Sequence, residues 1–165
     1  MTMNDSKEEL ITWLRDAHAM ESNIIKMLEK QSKHLDDWPQ MRQRIDSHLA
    51  ESRRHAERVE TCLKDLGSDT SALKEGMAKF SGMMGQTGMG AANDEPVKIC
   101  IGNYAIEHFE IASYRSLKAA AENCGETQIA TVAEEILREE EAMADYLDSH
   151  LGEVTQEHLQ RLAHA

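Results

Sequence analysis

Hydrophobic residues return at intervals of three and four along four long stretches of the chain, which is the spacing of one face of an α-helix. This pattern predicts long helices over about residues 5–35, 40–66, 95–123 and 126–151. Pro39 and Pro96 lie at the predicted starts of the second and third helices, where proline is favoured. Gly67, Gly125 and Gly152 lie where the second, third and fourth helices are expected to end.

Two further segments depart from this four-helix pattern. Residues 67–94 are rich in Gly, Ser and Met, and we expect them to hold one short helix near residues 70–80 within a long crossover. Residues 155–164 are expected to form a short, partly frayed helix. The connection at residues 36–40 is short, which makes the first two helices antiparallel neighbours. The sequence therefore predicts an all-α fold, a four-helix bundle in one domain (residues 1–165), with a long crossover between helices 2 and 3.

The third predicted helix carries two glutamates on its apolar face. That face consists of Ile101, Tyr104, Ile111, Tyr114 and Leu117. Glu107 and Glu110 share it, three residues apart. A carboxylate inside a helical core costs several kcal/mol unless it is paired, protonated or bound to a cation. Two of them on one core face therefore indicate a special site.

The other long helices also place polar side chains at or beside their core faces, near the middle of each helix. Glu21 interrupts the apolar stripe of the first helix, and Glu140 occupies a core position of the fourth. Mid-helix positions share a level in an antiparallel bundle, so these groups are expected to converge. The candidate metal ligands are Glu21, His48, Glu51, Glu107, Glu110 and Glu140. Their carboxylate oxygens and imidazole nitrogen suit iron, manganese or zinc.

Composition narrows the possible partners. The formal net charge is −12, and lysine and arginine form no patch that would bind the phosphates of a nucleic acid. Cys62, Cys100 and Cys124 are widely spaced, so we expect neither a disulfide framework nor a thiolate zinc site. The first residues show no apolar signal core, and no apolar run is long enough to span a membrane. These features predict a cytoplasmic protein without nucleic-acid or membrane partners.

Four segments around the candidate ligands resemble one bacterial family. They are WLRDAHAME ending at Glu21, HLAES from His48, EHFEIASYRSL from Glu107 and ILREEEAMADYL around Glu140. Together they closely resemble the YciE/YciF family of bacterial ferritin-like metal-binding proteins over nearly the whole chain, with the YciE branch the nearer match. The resemblance implies a ferritin-like bundle with an additional helix, a dinuclear metal centre, a homodimer and an association with stress responses.

The spacing departs from the usual ferritin-like pattern, in which two helices each carry Glu-x-x-His. Three residues after Glu51 the chain has Arg54, where the pattern requires histidine. Three residues after Glu140 it has Met143. A histidine instead precedes Glu51 by three residues. We expect Glu110, the second carboxylate of the third helix, to supply the ligand that the fourth helix lacks.

Several other polar residues are weaker candidates. His18 and His55 each lie one turn from a candidate ligand, so either could support or replace it, although such histidines are more often exposed. Glu139 is the main rival of Glu140. The remaining candidates for contact with the ligands are Asp16, Asp145, Tyr104 and Tyr114.

The leading functional hypothesis is a protein that binds two divalent ions in its core, with iron the first expectation and manganese or zinc as alternatives. Such a centre would react with oxygen or peroxide, as a ferroxidase or a peroxide-consuming enzyme. Oxidation of an organic substrate is a second hypothesis, which requires an open cavity beside the metal ions. A third is a non-catalytic stress or scaffold protein whose bundle is only stabilised by metal.

Overall fold

The computed structural model describes residues 3–71, 73–86 and 95–164, which form five α-helices. The helices are α1 (Met3–Ser32), α2 (Pro39–Asp65), α3 (Leu73–Gln86), α4 (Pro96–Asn123) and α5 (Thr127–Ala163). These described residues include no β-strand, which confirms the all-α class. The four long helices of the prediction are α1, α2, α4 and α5. α1 ends slightly earlier than expected, at Ser32, and α3 ends later, at Gln86.

Contacts between helices define the bundle. α1 packs against α2 and α4, and α5 packs against the same two helices, so the four form a closed ring. α1 and α4 are antiparallel, because Gln31 near the end of α1 hydrogen-bonds Asn103 near the start of α4. At the other end of the bundle, Lys7 near the start of α1 pairs with Glu126, which follows α4.

α2 and α5 are also antiparallel. Arg44, early in α2, lies over the ring of Tyr146, late in α5. Arg58, late in α2, pairs with Glu135, early in α5. α1 is antiparallel to α2 as well, because Ser32 at the end of α1 hydrogen-bonds Asp46 early in α2. The end of α2 and the start of α4 therefore lie at opposite ends of the bundle, as the predicted crossover requires. α3 lies in this segment and packs on α1, while residues 72 and 87–94 of the predicted crossover lie outside the described part of the chain.

Local sequence signals set several helix ends. Pro39 and Pro96 occupy the first turns of α2 and α4, where the missing N–H removes no helical hydrogen bond. Gly67 and Gly125 have φ angles of 71° and 75° just after the same two helices. A side chain with a Cβ is strained in that conformation, so glycine ends these helices as the sequence predicts.

The prediction that the last long helix ends at Gly152 is wrong. α5 continues to Ala163, so the segment expected to be a separate C-terminal helix is the last part of α5. A glycine inside a helix costs only about 1 kcal/mol relative to alanine. Contacts of the extension compensate for that cost, since the guanidinium of Arg161 lies 4.4 Å from the centre of the Trp38 ring.

The predicted apolar face of α4 is also wrong at its first residue. Ile101 is 52% exposed, because six residues separate it from Glu107 and turn it about 120° away from the inward face. The buried face at the start of α4 is formed by Ile99, Cys100, Asn103 and Ile106.

The core of the bundle is apolar towards both ends and polar in the middle. One end contains Leu10, Leu14, Leu63, Ala121 and Ile129. The other contains Leu28, Ile45, Ile99 and Leu147. The polar groups between them belong to the middle turns of all four long helices.

The length and hydropathy of the described helices can be compared with those of membrane-spanning segments. Across residues 3–71, 73–86 and 95–164, none of them is both long and apolar enough to cross a membrane.

Candidate metal centre

Six ionisable side chains are buried together in the middle of the bundle, and we call them the buried cluster. They are Glu21, His48, His55, Glu107, Glu110 and Glu140, each at most 2% exposed. α1 supplies one carboxylate, α4 two and α5 one, whereas α2 supplies both imidazoles. So many charged groups without solvent are costly unless they are paired with one another or bound to cations.

Four members surround one position between α2, α4 and α5, which we call the four-residue position. Nε2 of His48 lies 3.0 Å from Oε1 of Glu107 and 3.7 Å from Oε2 of Glu140. Glu110 is the fourth member, and one donor atom from each residue lies within 4.8 Å of the others. This spacing allows one cation to contact all four residues.

Three members form a three-residue position between α1, α2 and α5. Nδ1 of His55 lies 2.9 Å from Oε1 of Glu140 and 3.5 Å from Oε1 of Glu21. The donor atoms of the three again lie within 4.8 Å of one another. Glu140 belongs to both positions, with Oε1 towards His55 and Oε2 towards His48. Its carboxylate therefore links the two positions.

The outward nitrogen of each imidazole is held by a carboxylate at the rim of the bundle. Nδ1 of His48 lies 3.0 Å from Oε2 of Glu51. Nε2 of His55 lies 2.9 Å from Oε2 of Glu139. Each rim carboxylate also pairs with an arginine, Arg44 and Arg54 respectively. This arrangement orients each ring so that its other nitrogen points into the cluster, which is how outer carboxylates position metal-binding histidines.

The inward atoms of the cluster lack hydrogen-bond partners. They are Oε2 of Glu21 and of Glu107, both carboxylate oxygens of Glu110 and Glu140, Nε2 of His48 and Nδ1 of His55. Although several of these atoms are close together, they do not align as hydrogen bonds. Buried polar atoms without partners cost about 1–3 kcal/mol each, and a cation would satisfy them. This set of oxygen and nitrogen donors fits iron, manganese or zinc.

Burial and mutual repulsion make the carboxyls difficult to ionise together. Burial, followed by the charges of three neighbouring glutamates, raises the pKa of Glu110 well above its ordinary value. Burial also raises the pKa of Glu107 to about 8, in spite of the nearby His48. The pKa of Glu21 is raised too, mainly by burial. Without a cation, the raised pKa values of Glu107 and Glu110 favour their protonated forms, and a cation would displace those protons.

The two imidazoles are held in the charged form. Burial alone would lower the pKa of His48, but its contacts with Glu107, Glu51 and Glu140 together outweigh burial and raise the pKa to about 10. Burial likewise opposes ionisation of His55, whereas its close approach to Glu140 and a second glutamate raises the pKa to about 11. The same contacts lower the pKa of Glu140, although burial would raise it. Protonated imidazoles thus face the ionised carboxylate of Glu140.

A family model described as "Domain of unknown function (DUF892)" matches residues 5–160 of the chain. The chain belongs to the DUF892 family. This result and the structural neighbours support the resemblance to ferritin-like YciE/YciF proteins.

Solved structures similar to this DUF892 chain share its helical bundle. A Xanthomonas campestris protein is 31% identical with a TM-score of 0.75, covering 96% of this chain and 99% of its own. The Escherichia coli stress protein YciF is 21% identical with a TM-score of 0.78, covering 94% and 98%. A Desulfovibrio desulfuricans bacterioferritin, described with a diiron site, is 21% identical with a TM-score of 0.74, covering 99% and 90%. The last two similarities establish a ferritin-like fold and no more.

In this DUF892 chain the structure brings together all the predicted ligands except Glu51. The side chain of Glu51 is 21% exposed and contacts His48 and Arg44 at the rim. His55, a weaker candidate that could support or replace a ligand, is 1% exposed and lies in the cluster. The signal that identifies His55 is its spacing, because it follows His48 by two helical turns and so shares its face.

The weaker candidates divide between rim, surface and core. Glu139 lies at the rim, whereas Glu140 lies in the cluster. Asp16 and Asp145 are exposed. His18 is 9% exposed, and burial lowers its pKa, but it belongs to neither position.

One of the two candidate tyrosines contacts the cluster. The hydroxyl of Tyr114, which is fully buried, donates a hydrogen bond to Oε1 of Glu21 at 2.5 Å. Tyr104 is partly buried and packs edge-on against the ring of His108. Tyr114 thus bonds the same oxygen of Glu21 that lies nearest His55, and Oε2 of Glu21 has no partner.

Proposed function

We propose that this protein binds two divalent metal ions in the buried cluster, with iron the first expectation and manganese or zinc as alternatives. The proposed ligands are Glu21, His48, His55, Glu107, Glu110 and Glu140. One observation carries the proposal: buried oxygen and nitrogen atoms without partners converge from all four long helices. The similar bacterioferritin, described with a diiron site, supports it.

The proposed chemistry is consumption of oxygen or peroxide, as in a ferroxidase. A bound pair of ferrous ions would supply the two electrons that reduce hydrogen peroxide to water, with two protons taken up. The chain's own groups exclude bulk water from the reaction, since the cluster residues are at most 2% exposed. Glu107 and Glu110, whose pKa values are raised by burial, are suited to hold protons beside the four-residue position.

The second candidate function is a non-catalytic stress protein whose bundle is stabilised by metal. The deep burial of the cluster favours it, because an oxidant must reach the ions through the bundle. A cavity of about 510 Å³ between α1, α3 and α4 is lined by Trp13, Phe80 and Phe109, among others, but by no residue of the cluster. Oxidation of an organic substrate would need an opening between this cavity and the cluster, which ranks that hypothesis last.

The family resemblance extends the proposal to a cytoplasmic homodimer that acts in stress responses. The stress role is supported by the description of YciF as a stress protein. Light scattering on the purified full chain tests the dimer, and a mass of one chain would contradict it. Loss of the gene should reduce survival under peroxide or metal stress, and unchanged survival would count against this role.

Metal analysis followed by an oxidation assay tests the function. The full chain is purified without chelator, its metals are quantified, and the stripped protein is loaded anaerobically with ferrous iron before oxygen or peroxide is added. We expect about two ions per chain and consumption of the oxidant coupled to iron oxidation. Binding without consumption supports the non-catalytic function, and no binding at all overturns the proposal.

A matched pair of variants connects that result to the cluster. Glu140→Ala removes the carboxylate that links both positions and should release the metal. Glu141→Ala changes the next residue, whose side chain is 41% exposed and pairs with Arg115 at the surface. The second variant should bind metal as the wild type does. Equal metal content in both variants would show that the cluster is not the site.

A further inference from the structure

The two positions of the buried cluster differ in the number of side chains that they offer. The four-residue position has His48, Glu107, Glu110 and the shared Glu140, whereas the three-residue position has only Glu21 and His55 besides Glu140. Three carboxylates therefore face the first position and two face the second. A divalent ion in the first position is attracted by more carboxylates and contacts more donor atoms than one in the second position.

The four-residue position also has more buried donor atoms without hydrogen-bond partners than the three-residue position. Both oxygens of Glu110 are without partners, and so are Oε2 of Glu107 and Nε2 of His48. In the three-residue position, one oxygen of Glu21 already accepts a hydrogen bond from Tyr114. A cation there would find fewer free donor atoms, so its coordination would have to be completed by another ligand.

The two imidazoles also present different nitrogens. Glu51 holds Nδ1 of His48, which turns Nε2 inward. Glu139 holds Nε2 of His55, which turns Nδ1 inward. The two positions therefore differ in the chemistry of their nitrogen donor as well as in the number of carboxylates.

The rim carboxylates that hold the two imidazoles, and the arginines that pair with them, differ in their exposure to solvent. Behind His48, the side chains of Glu51 and Arg44 are 21% and 19% exposed. Behind His55, the side chains of Glu139 and Arg54 are 37% and 57% exposed. The carboxylate and arginine behind the three-residue position are thus more exposed, which favours the approach of small molecules from that side.

We propose that the two metal positions are inequivalent: the four-residue position binds first, through Nε2 of His48, and the three-residue position binds second, through Nδ1 of His55. The second position is the exchangeable one, and its coordination is completed by a small oxygen- or nitrogen-donor ligand such as water, peroxide or azide. This inference rests on the proposed metal binding and assigns the place where an oxidant binds.

Cobalt titration of the chelator-stripped full chain tests the order of binding by visible absorption. The wild type should bind in two steps that differ by about tenfold or more in affinity. His55→Gln should keep the tighter step and lose the weaker one, whereas the matched variant His48→Gln should lose the tighter one. Azide should change the spectrum of the wild type and leave that of His55→Gln unchanged.

A second pair of variants controls for loss of metal binding caused by misfolding, and circular dichroism measures the helix content of each variant. Glu110→Gln should weaken the tighter step and Glu21→Gln the weaker one, because each glutamate faces only one position. Nitrogen NMR of the wild type loaded with zinc and labelled in its histidines gives an independent measurement. One histidine should be bound through Nε2 and one through Nδ1, and the spectra of the two histidine variants assign them.

The outcomes separate this inference from the proposed function. If neither cobalt, zinc nor ferrous iron binds, the metal-binding proposal fails, and the inference fails with it. Two ions bound with equal affinity overturn the inequivalence alone, as does loss of the tighter step in His55→Gln. Coordination of both histidines through the same type of nitrogen would also overturn it while leaving metal binding intact.

Discussion

Glu110 offers the sharpest test of the buried cluster, since its replacement by methionine should stabilise the metal-free protein. Its side chain is 0% exposed, and both carboxylate oxygens lack hydrogen-bond partners. Methionine has a similar length and no atom that requires a hydrogen bond. Glu110→Met therefore removes a buried polar group without opening a large cavity.

The size of the stabilisation expected for Glu110→Met follows from the burial of those two oxygens. Leaving a polar group buried without a partner costs about 1–3 kcal/mol, and an apolar side chain of similar shape removes that cost. A gain of about 1–3 kcal/mol corresponds to a rise in Tm of roughly 2–12 °C for a chain of this size. With saturating metal the order should reverse, because the wild type gains about 3 kcal/mol at a ligand concentration of 100 Kd and the variant gains less.

Thermal unfolding followed by circular dichroism, with chelator and then with metal, measures both effects. Asn103→Leu is the matched control, because Asn103 is a buried polar residue of the same helix whose side chain exchanges two hydrogen bonds with Gln31. That variant leaves the Gln31 amide unpaired, so it should lose about 1–3 kcal/mol with or without metal. A lower Tm of metal-free Glu110→Met, or a full metal-induced gain in that variant, would refute the reasoning.

Three further predictions concern the surroundings of the cluster. Glu51→Gln and Glu139→Gln should each weaken metal binding about 10–100-fold in a chelator competition assay, since both carboxylates orient an imidazole, and unchanged affinity contradicts that role. The stability of metal-free protein should fall as the pH rises from about 6.5 to about 9, because the buried imidazoles, with pKa values of about 10 and about 11, bind protons more tightly in the folded chain than in the unfolded one. Their contribution to stability is complete below about pH 6.5. A Tm that rises with pH in a thermal-unfolding series would contradict this prediction. Gly76→Ala should lower the free energy of unfolding, measured with denaturant, by about 1–3 kcal/mol, because its Cβ would lie 2.8 Å from that of Ala19. Gly82→Ala, with open space around it, should raise the free energy of unfolding by up to about 1 kcal/mol. Equal effects of the two variants would contradict the close packing of α3 on α1.

The choice between Glu51 and His55 shows where periodicity stops being informative. Relative to His48, Glu51 is turned by about 60° around α2 and His55 by about 20°, so the helix period allows either side chain near the cluster. Arg44 pairs with Glu51 at the rim, and the facing α5 presents Glu140 to His55. Neighbouring helices therefore decided which side chain points inward.

The C-terminal part of α5 shows that a local sequence signal does not by itself decide where a helix ends. Glycine at 67 and 125 ends a helix with a positive φ angle, whereas Gly152 lies inside one. Beyond Gly152, Val154 packs against the core and Arg161 lies over the ring of Trp38, which is far from it in sequence. A local signal for a helix end loses its effect when distant contacts stabilise the continuing helix.

The sequence by itself determined the helical class, the positions of the long helices, the crossover between α2 and α4, and the presence of carboxylates on core faces. These properties depend on hydrophobic period, proline and glycine, which act locally. Only the tertiary structure decided that α2 turns two imidazoles inward and Glu51 outward, and that Glu140 faces both positions. Those outcomes depend on charges and hydrogen-bonding groups of other helices, whose distances are fixed only when the bundle packs.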